Sequence, residues 1–138
     1  MELPDTHVEP WIKKLELLAG AFEGASIAPD QFITDGQIIQ FPFKDKGVRV
    51  AVHMMFSDYS GSDIIITGVN ILPNEEVGKG FGDIVIEYIL RWAKENGAKD
   101  VRAAQVKPHY VGFWTKNGFK RDTNPLMTKD FVFSISLD

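Results

Sequence analysis

Residues 77–97 read VGKGFGDIVIEYILRWAKENG, with glycine at 78, 80 and 82 directly ahead of a long run of helix formers. Glycine at the mouth of a helix costs chain entropy and adds no side chain to a core, so a special backbone conformation or a close approach to the main chain has to require it. A helix N-terminus offers unpaired N–H groups and a partial positive charge, which makes an anion its natural guest. Lys79 adds a mobile positive charge beside the same amides. The pattern points to a pyrophosphate cradle, and two familiar designs for one do not fit. A Walker-type loop needs GxxxxGK followed by Ser or Thr, whereas Lys79 is followed by Gly80. A GxGxxG dinucleotide fingerprint needs glycine where Asp83 stands. The structural alternative is a sharp turn and a close helix packing.

Working outward, the helix exposes Glu87, Arg91, Lys94 and Glu95 at helical spacing, with Glu87 and Arg91 a favourable i, i+4 pair. Its other faces are apolar, so it is expected to lie deep, and Asn96-Gly97 ends it. Upstream, DIIITGVNIL (63–72) is apolar on both faces apart from Thr67 and Asn70, which predicts a central strand covered on two sides. VRVAVHMMF (48–56) alternates, with Val48, Val50, Val52, Met54 and Phe56 on one face and His53 on the other. The KDKG turn joins it to QIIQFPF (37–43), where Pro42 suits an edge or a bulge. PWIKKLELLAGAF (10–22) sets Trp11, Leu15, Leu18 and Phe22 at helical spacing, and residues 23–35 read as loop. Downstream come a strand at 100–106, a shorter helix at about 109–117, a short strand in GFKRD, and FVFSISLD, with Phe131, Phe133, Ile135 and Leu137 inward. The order predicts a single domain over residues 1–138 of the α/β (α+β) type, one mixed sheet with helices on its faces.

Composition narrows the function. Of 138 residues, 44% are hydrophobic and 12% aromatic, enough for one compact core. A net charge of −4 argues against nucleic acid as a partner. The absence of cysteine excludes thiolate metal sites, disulfides and a cysteine nucleophile. The acidic start MELPDTH lacks the features of a signal peptide, and no apolar run reaches the length of a membrane span, so the expected location is the cytoplasm, away from membranes.

Two motifs together resemble the GNAT superfamily of acetyl-CoA-dependent N-acetyltransferases, over roughly residues 62–122. The family's cofactor-loop signature is Gln or Arg, two free positions, Gly, one free position, then Gly or Ala; it falls on Val77, Gly78, Lys79, Gly80, Phe81 and Gly82. A second signature, an aromatic pair followed by three residues and Gly-Phe, falls on FWTKNGF, from Phe113 to Phe119. The resemblance implies a mostly antiparallel sheet whose central strands splay, with pantetheine in the wedge bonding the backbone near Asn70, Ile71 and Leu72. It also implies pyrophosphate on the amides of 78–82, no metal, and an amine acceptor. Four positions depart from the family pattern. Val77 stands where Gln or Arg is usual, Asp83 where a small hydroxyl residue is common, Lys107 where asparagine is frequent, and Trp114 in place of the tyrosine that often protonates the departing thiolate.

On this reading Lys107 and Trp114 border the cofactor, Tyr110, one helical turn before Trp114, is the substitute acid, and Asn70 orients the acceptor or a water. Asn70, as a polar exception on a buried strand, would need hydrogen-bond partners. An amine also needs a base. The candidates are Glu76 with its neighbour Glu75, Asp63, His53 and His109. Val77 and Trp114 leave open a rival, a CoA-binding regulatory module without chemistry. The identity of the acceptor and the choice between monomer and homodimer stay open.

Overall fold

The structure is a computed structural model that describes residues 8–30, 36–56, 64–121 and 132–137. Helix α1 (Val8–Ala21) leads into β1 (Ser26–Pro29), β2 (Gln37–Phe43), β3 (Val48–Phe56) and β4 (Ile64–Leu72). Then follow α2 (Phe81–Glu95), β5 (Asp100–Ala103), α3 (Val111–Lys116), β6 (Lys120–Arg121) and β7 (Phe133–Ser136). One sheet has the order β1-β2-β3-β4-β5-β7-β6, antiparallel throughout except for the parallel pair β4 and β5. This is the expected mixed, mostly antiparallel sheet with flanking helices.

The alternation in β3 sets the core. Val48, Val50, Val52, Met54 and Phe56 are all buried, joined by Ile39 and Phe41 from β2. Helices α1 and α2 cover this face: Trp11 stacks on Phe56 with centroids 6.1 Å apart and meets Trp92 edge-on at 5.6 Å. The Trp92 indole N–H donates to the Lys14 carbonyl at 3.1 Å, so the large ring is buried with its one polar atom satisfied. Glu87, Arg91, Lys94 and Glu95 are exposed as expected, and the Arg91 guanidinium lies 3.2 Å from Glu87. Gly97, at φ +87°, ends α2 with Gly97 N–H on Lys94 O and Ala98 N–H on Ala93 O.

Three expectations change. Residues 26–29, read as loop, form β1 against β2; Ser26, Ala28 and Pro29 are exposed, so no apolar alternation announces the strand. β5 stops at Ala103 rather than 106. β4 is buried at Ile64 and Ile66 but half-buried or exposed from Thr67 onward, so its second half is not the doubly covered strand that its composition suggests. Pro42 is tolerated because β1 pairs only with residues 37–40, leaving that stretch of β2 without a partner on one side. Phe133 of β7 and Leu137 just after it are buried and Ile135 partly so, while Phe131 lies outside the described residues.

The Trp11 contacts predict that Trp11→Ala lowers unfolding free energy by about 3–5 kcal/mol, the usual cost of deleting a large buried aromatic. Urea denaturation followed by circular dichroism measures it, and a loss under about 1 kcal/mol would mean that α1 is not anchored through this ring.

Candidate active site

β4 and β5 pair for three residues, Ile64–Ile66 against Val101–Ala103, with one more bond from Ala104 N–H to Ile66 O at 2.9 Å. Beyond that point the strands part. On β4 the register against β3 slips between His53 and Met54, leaving Thr67 as an extra residue between Ile66 and Gly68. Such a bulge bends and twists the strand that carries it. On the other side Gln105 adopts φ +58°, a left-handed conformation that turns the chain after β5. The gap is bordered by α3 and by the 3₁₀ turn Pro108–Tyr110 that leads into it, and it holds two adjoining cavities.

The smaller, about 230 Å³, lies at the glycine loop and is bordered by Ile71, Val77, Gly78, Gly80, Gly82 and Lys116 among others. The three glycines have different tasks. Gly78 and Gly80 sit at φ +90° and +95°, which other residues rarely adopt, and a Cβ on Gly78 would meet nothing within 4 Å. Gly82 is buried in the first turn of α2, where a Cβ would lie 2.9 Å from the Phe113 ring and 3.3 Å from Ile71. No side chain caps α2 at Gly80. The amides that open the helix therefore face an open loop, as an anion cradle requires.

The charges around this loop are paired. Asp83 borders the smaller cavity, and its carboxylate accepts from Asn117 Nδ2 at 2.8 Å and meets Lys116 Nζ at 3.0 Å. Lys79 Nζ lies 3.0 Å from Glu76. Glu75 and Glu76 line neither cavity, so the structure does not bring Glu76 together with Tyr110 and Asn70. Val77 and Leu72 are exposed, and the Phe81 ring packs on Phe43 at 5.1 Å.

The larger cavity, about 430 Å³, is bordered by Asp30, His53, Thr67, Asn70, Lys107, Tyr110 and Trp114 among others. Lys107 and Trp114, expected beside the cofactor, thus lie on this side of the gap. Trp114 is buried edge-on between Phe113 and Phe119. At the cavity wall His53 Nδ1 is 3.1 Å from Asp30 Oδ2, with the Asp30 side chain 3% exposed and that of His53 26%. With Asp30 ionised and the imidazole neutral, Nδ1 donates to the carboxylate and Nε2 is left as the acceptor. The Asn70 amide lies 3.4 Å from Nε2, as a donor to it. Asn70 is therefore exposed at the cavity and partnered there, rather than buried.

Alternation along β3 put His53 opposite the valines, so its outward aim was legible. Asp30 carried no signal, since an aspartate after a short polar segment reads as a turn residue; it arrives through the pairing of β1 with β2. Asp63 lies outside the described residues. His109 borders the smaller cavity, its ring 4.4 Å from that of Tyr110. Among the described residues no three His, Asp or Glu side chains cluster as a metal site would need, and no helix is long and apolar enough to cross a membrane.

No family model and no curated protein matches the sequence. Solved structures do. An acetyltransferase of the GNAT family from Staphylococcus aureus Mu50 superposes with a TM-score of 0.60 over 100% of this chain and 98% of its own, at 12% identity. The chain has the fold of the GNAT acetyltransferases. A Bacillus subtilis acetyltransferase in complex with CoA gives a TM-score of 0.57 at 15% identity, over 78% of this chain and 80% of that one. Nourseothricin acetyltransferase gives 0.56 at 16% identity over 75% of this chain, which spans 66% of that protein.

The close approach of Gly82 to Phe113 predicts that Gly82→Ala destabilises the protein by about 1–3 kcal/mol through overpacking. Phe113→Leu in the same chain should recover part of that loss. Thermal unfolding of the two single variants and the double variant tests this coupling, and additive losses would contradict it.

Proposed function

We propose that this chain transfers an acetyl group from acetyl-CoA to an amine that attacks the thioester directly, with both substrates bound together. The observation that carries this reading is the junction of the cavities: Val69, Tyr110 and Phe113 border both. A thioester reaching in from the glycine-loop side meets an acceptor held on the Asp30–His53 side, and such juxtaposition removes much of the entropic barrier. The GNAT fold and the CoA-bound Bacillus subtilis neighbour support it.

When bound, acetyl-CoA supplies an activated acyl group whose leaving group is a thiolate. The residues present fit it. The amides of 78–82 hold the diphosphate, helped by the helix dipole and by Lys116 at the cavity wall. The parted edge of β4 along Asn70, Ile71 and Leu72 offers backbone groups to an extended arm, in the manner of an added strand. Tyr110, which borders both cavities, would return a proton to the sulfur. A thiol of pKa about 8.5 leaves readily as the anion, so Tyr110 assists a step that does not depend on it. Trp114 is a wall of the pocket.

Replacing Gly80 by Val tests the cradle. A β-branched residue forced to φ +95° costs about 1–3 kcal/mol and distorts the amides, so calorimetric CoA binding should vanish while thermal unfolding stays cooperative. Normal CoA binding by that variant would refute the cradle. For the wild type, thiol release from acetyl-CoA with a panel of amines is the expected result. Tight CoA binding without turnover across the panel would instead mark a CoA-binding regulatory module.

A further inference from the structure

We propose that His53 Nε2, with the ring held in place by Asp30, is the base that takes the acceptor's proton. The proposal rests on the acyl-transfer reading above. Of the candidate bases within the described residues, His53 is the one that faces the larger cavity: Glu75 and Glu76 border neither cavity, and His109 borders the one at the glycine loop. Its orientation is fixed from behind by a buried carboxylate 3.1 Å away, and Nε2 is directed to the cavity side, where the exposed Asn70 amide makes a long contact at 3.4 Å. That is a base with an orienting partner, the arrangement in which an imidazole accepts a proton at one nitrogen while the other stays anchored.

Among the described residues bordering the cavity Asp30 is the one carboxylate, buried against His53, and Lys107 adds a positive charge.

The step balances. The bound ammonium gives one proton to Nε2, and the resulting amine adds through its lone pair to the acetyl carbon. The C–N bond forms and the C–S bond breaks, the electron pair leaving with sulfur. The amine's second proton reaches that thiolate through Tyr110 or solvent, and the proton on His53 passes to solvent.

Two measurements test it. Nitrogen NMR of the wild-type protein without substrates should place the hydrogen of His53 on Nδ1, and a hydrogen on Nε2 would overturn the proposal. His53→Gln should lower kcat about 10²–10⁴-fold with CoA binding by calorimetry unchanged, and Asp30→Asn should lower kcat with little change in KM. Wild-type kcat in His53→Gln would overturn the proposal alone, whereas CoA binding without turnover of any amine would overturn the acyl-transfer reading with it. Absence of CoA binding by the wild-type protein would overturn the acyl-transfer reading itself.

Discussion

A parallel strand pair that ends after three residues governs the rest of this molecule. Parallel pairs normally sit in the protected middle of a sheet, where both edges of each strand are hydrogen-bonded. Here β4 keeps its partner β3 along its whole length but loses β5 beyond Ile66. The loss is built into the chain at two points, the extra residue Thr67 on one strand and the left-handed Gln105 on the other. Backbone groups released in this way must find water, a side chain or a ligand, because leaving them buried and unpaired is costly. Opening the sheet beside a helix whose first amides are uncapped places two sets of unused hydrogen-bonding groups next to each other. The opposite face can tolerate this opening, since Trp11, Phe56, Phe41 and Trp92 tie α1 and α2 to β2 and β3 without reference to β5.

How much of this was legible in the sequence depends on the range of the interaction. The alternation in VRVAVHMMF and the helical spacing of Glu87, Arg91, Lys94 and Glu95 are local patterns, and the structure follows them residue by residue. β1 was missed because its four residues are largely exposed and gain their order from β2, across a pairing that no local pattern encodes. The second half of β4 misled for the opposite reason. Its apolar residues suggest cover on both sides, yet Val69 and Ile71 border cavities instead of neighbouring strands. Apolar character marks a surface that avoids water and does not say whether protein or ligand covers it.

The glycine loop shows the same limit at finer scale. Three glycines at alternate positions look alike in sequence, and the structure gives them separate causes. Gly78 and Gly80 are needed for their backbone angles, whereas Gly82 is needed because the Phe113 ring lies where a methyl group would be. The structural reading of the motif thus holds for all three glycines, for different reasons at different residues. Nearby carboxylates are handled by pairing, Glu76 with Lys79 and Asp83 with Lys116 and Asn117. These pairs are partly exposed and contribute little stability, so their effect is to offset negative charge near the loop, where Asp83 itself borders the cavity.

The Asp30–His53 pair invites a purely structural explanation, and its geometry argues against one. A carboxylate as buried as Asp30 carries a desolvation cost that a partner has to offset, and an ion pair kept for stability does so best when both members are enclosed and fully hydrogen-bonded. His53 is instead half-open: one ring nitrogen is bound to the carboxylate, while the other reaches the cavity and makes only a long contact with an exposed amide. Gly68, directly opposite on β4, gives the ring room, with a Cβ there reaching only ordinary contact at 3.6 Å. The bulge at Thr67 falls at the same point in the register, and the Thr67 hydroxyl donates to the His53 carbonyl at 3.4 Å. The irregularity that parts the sheet is thus the one that fixes the backbone of His53, so opening the cleft and aiming the imidazole into it are consequences of a single departure from regular strand pairing.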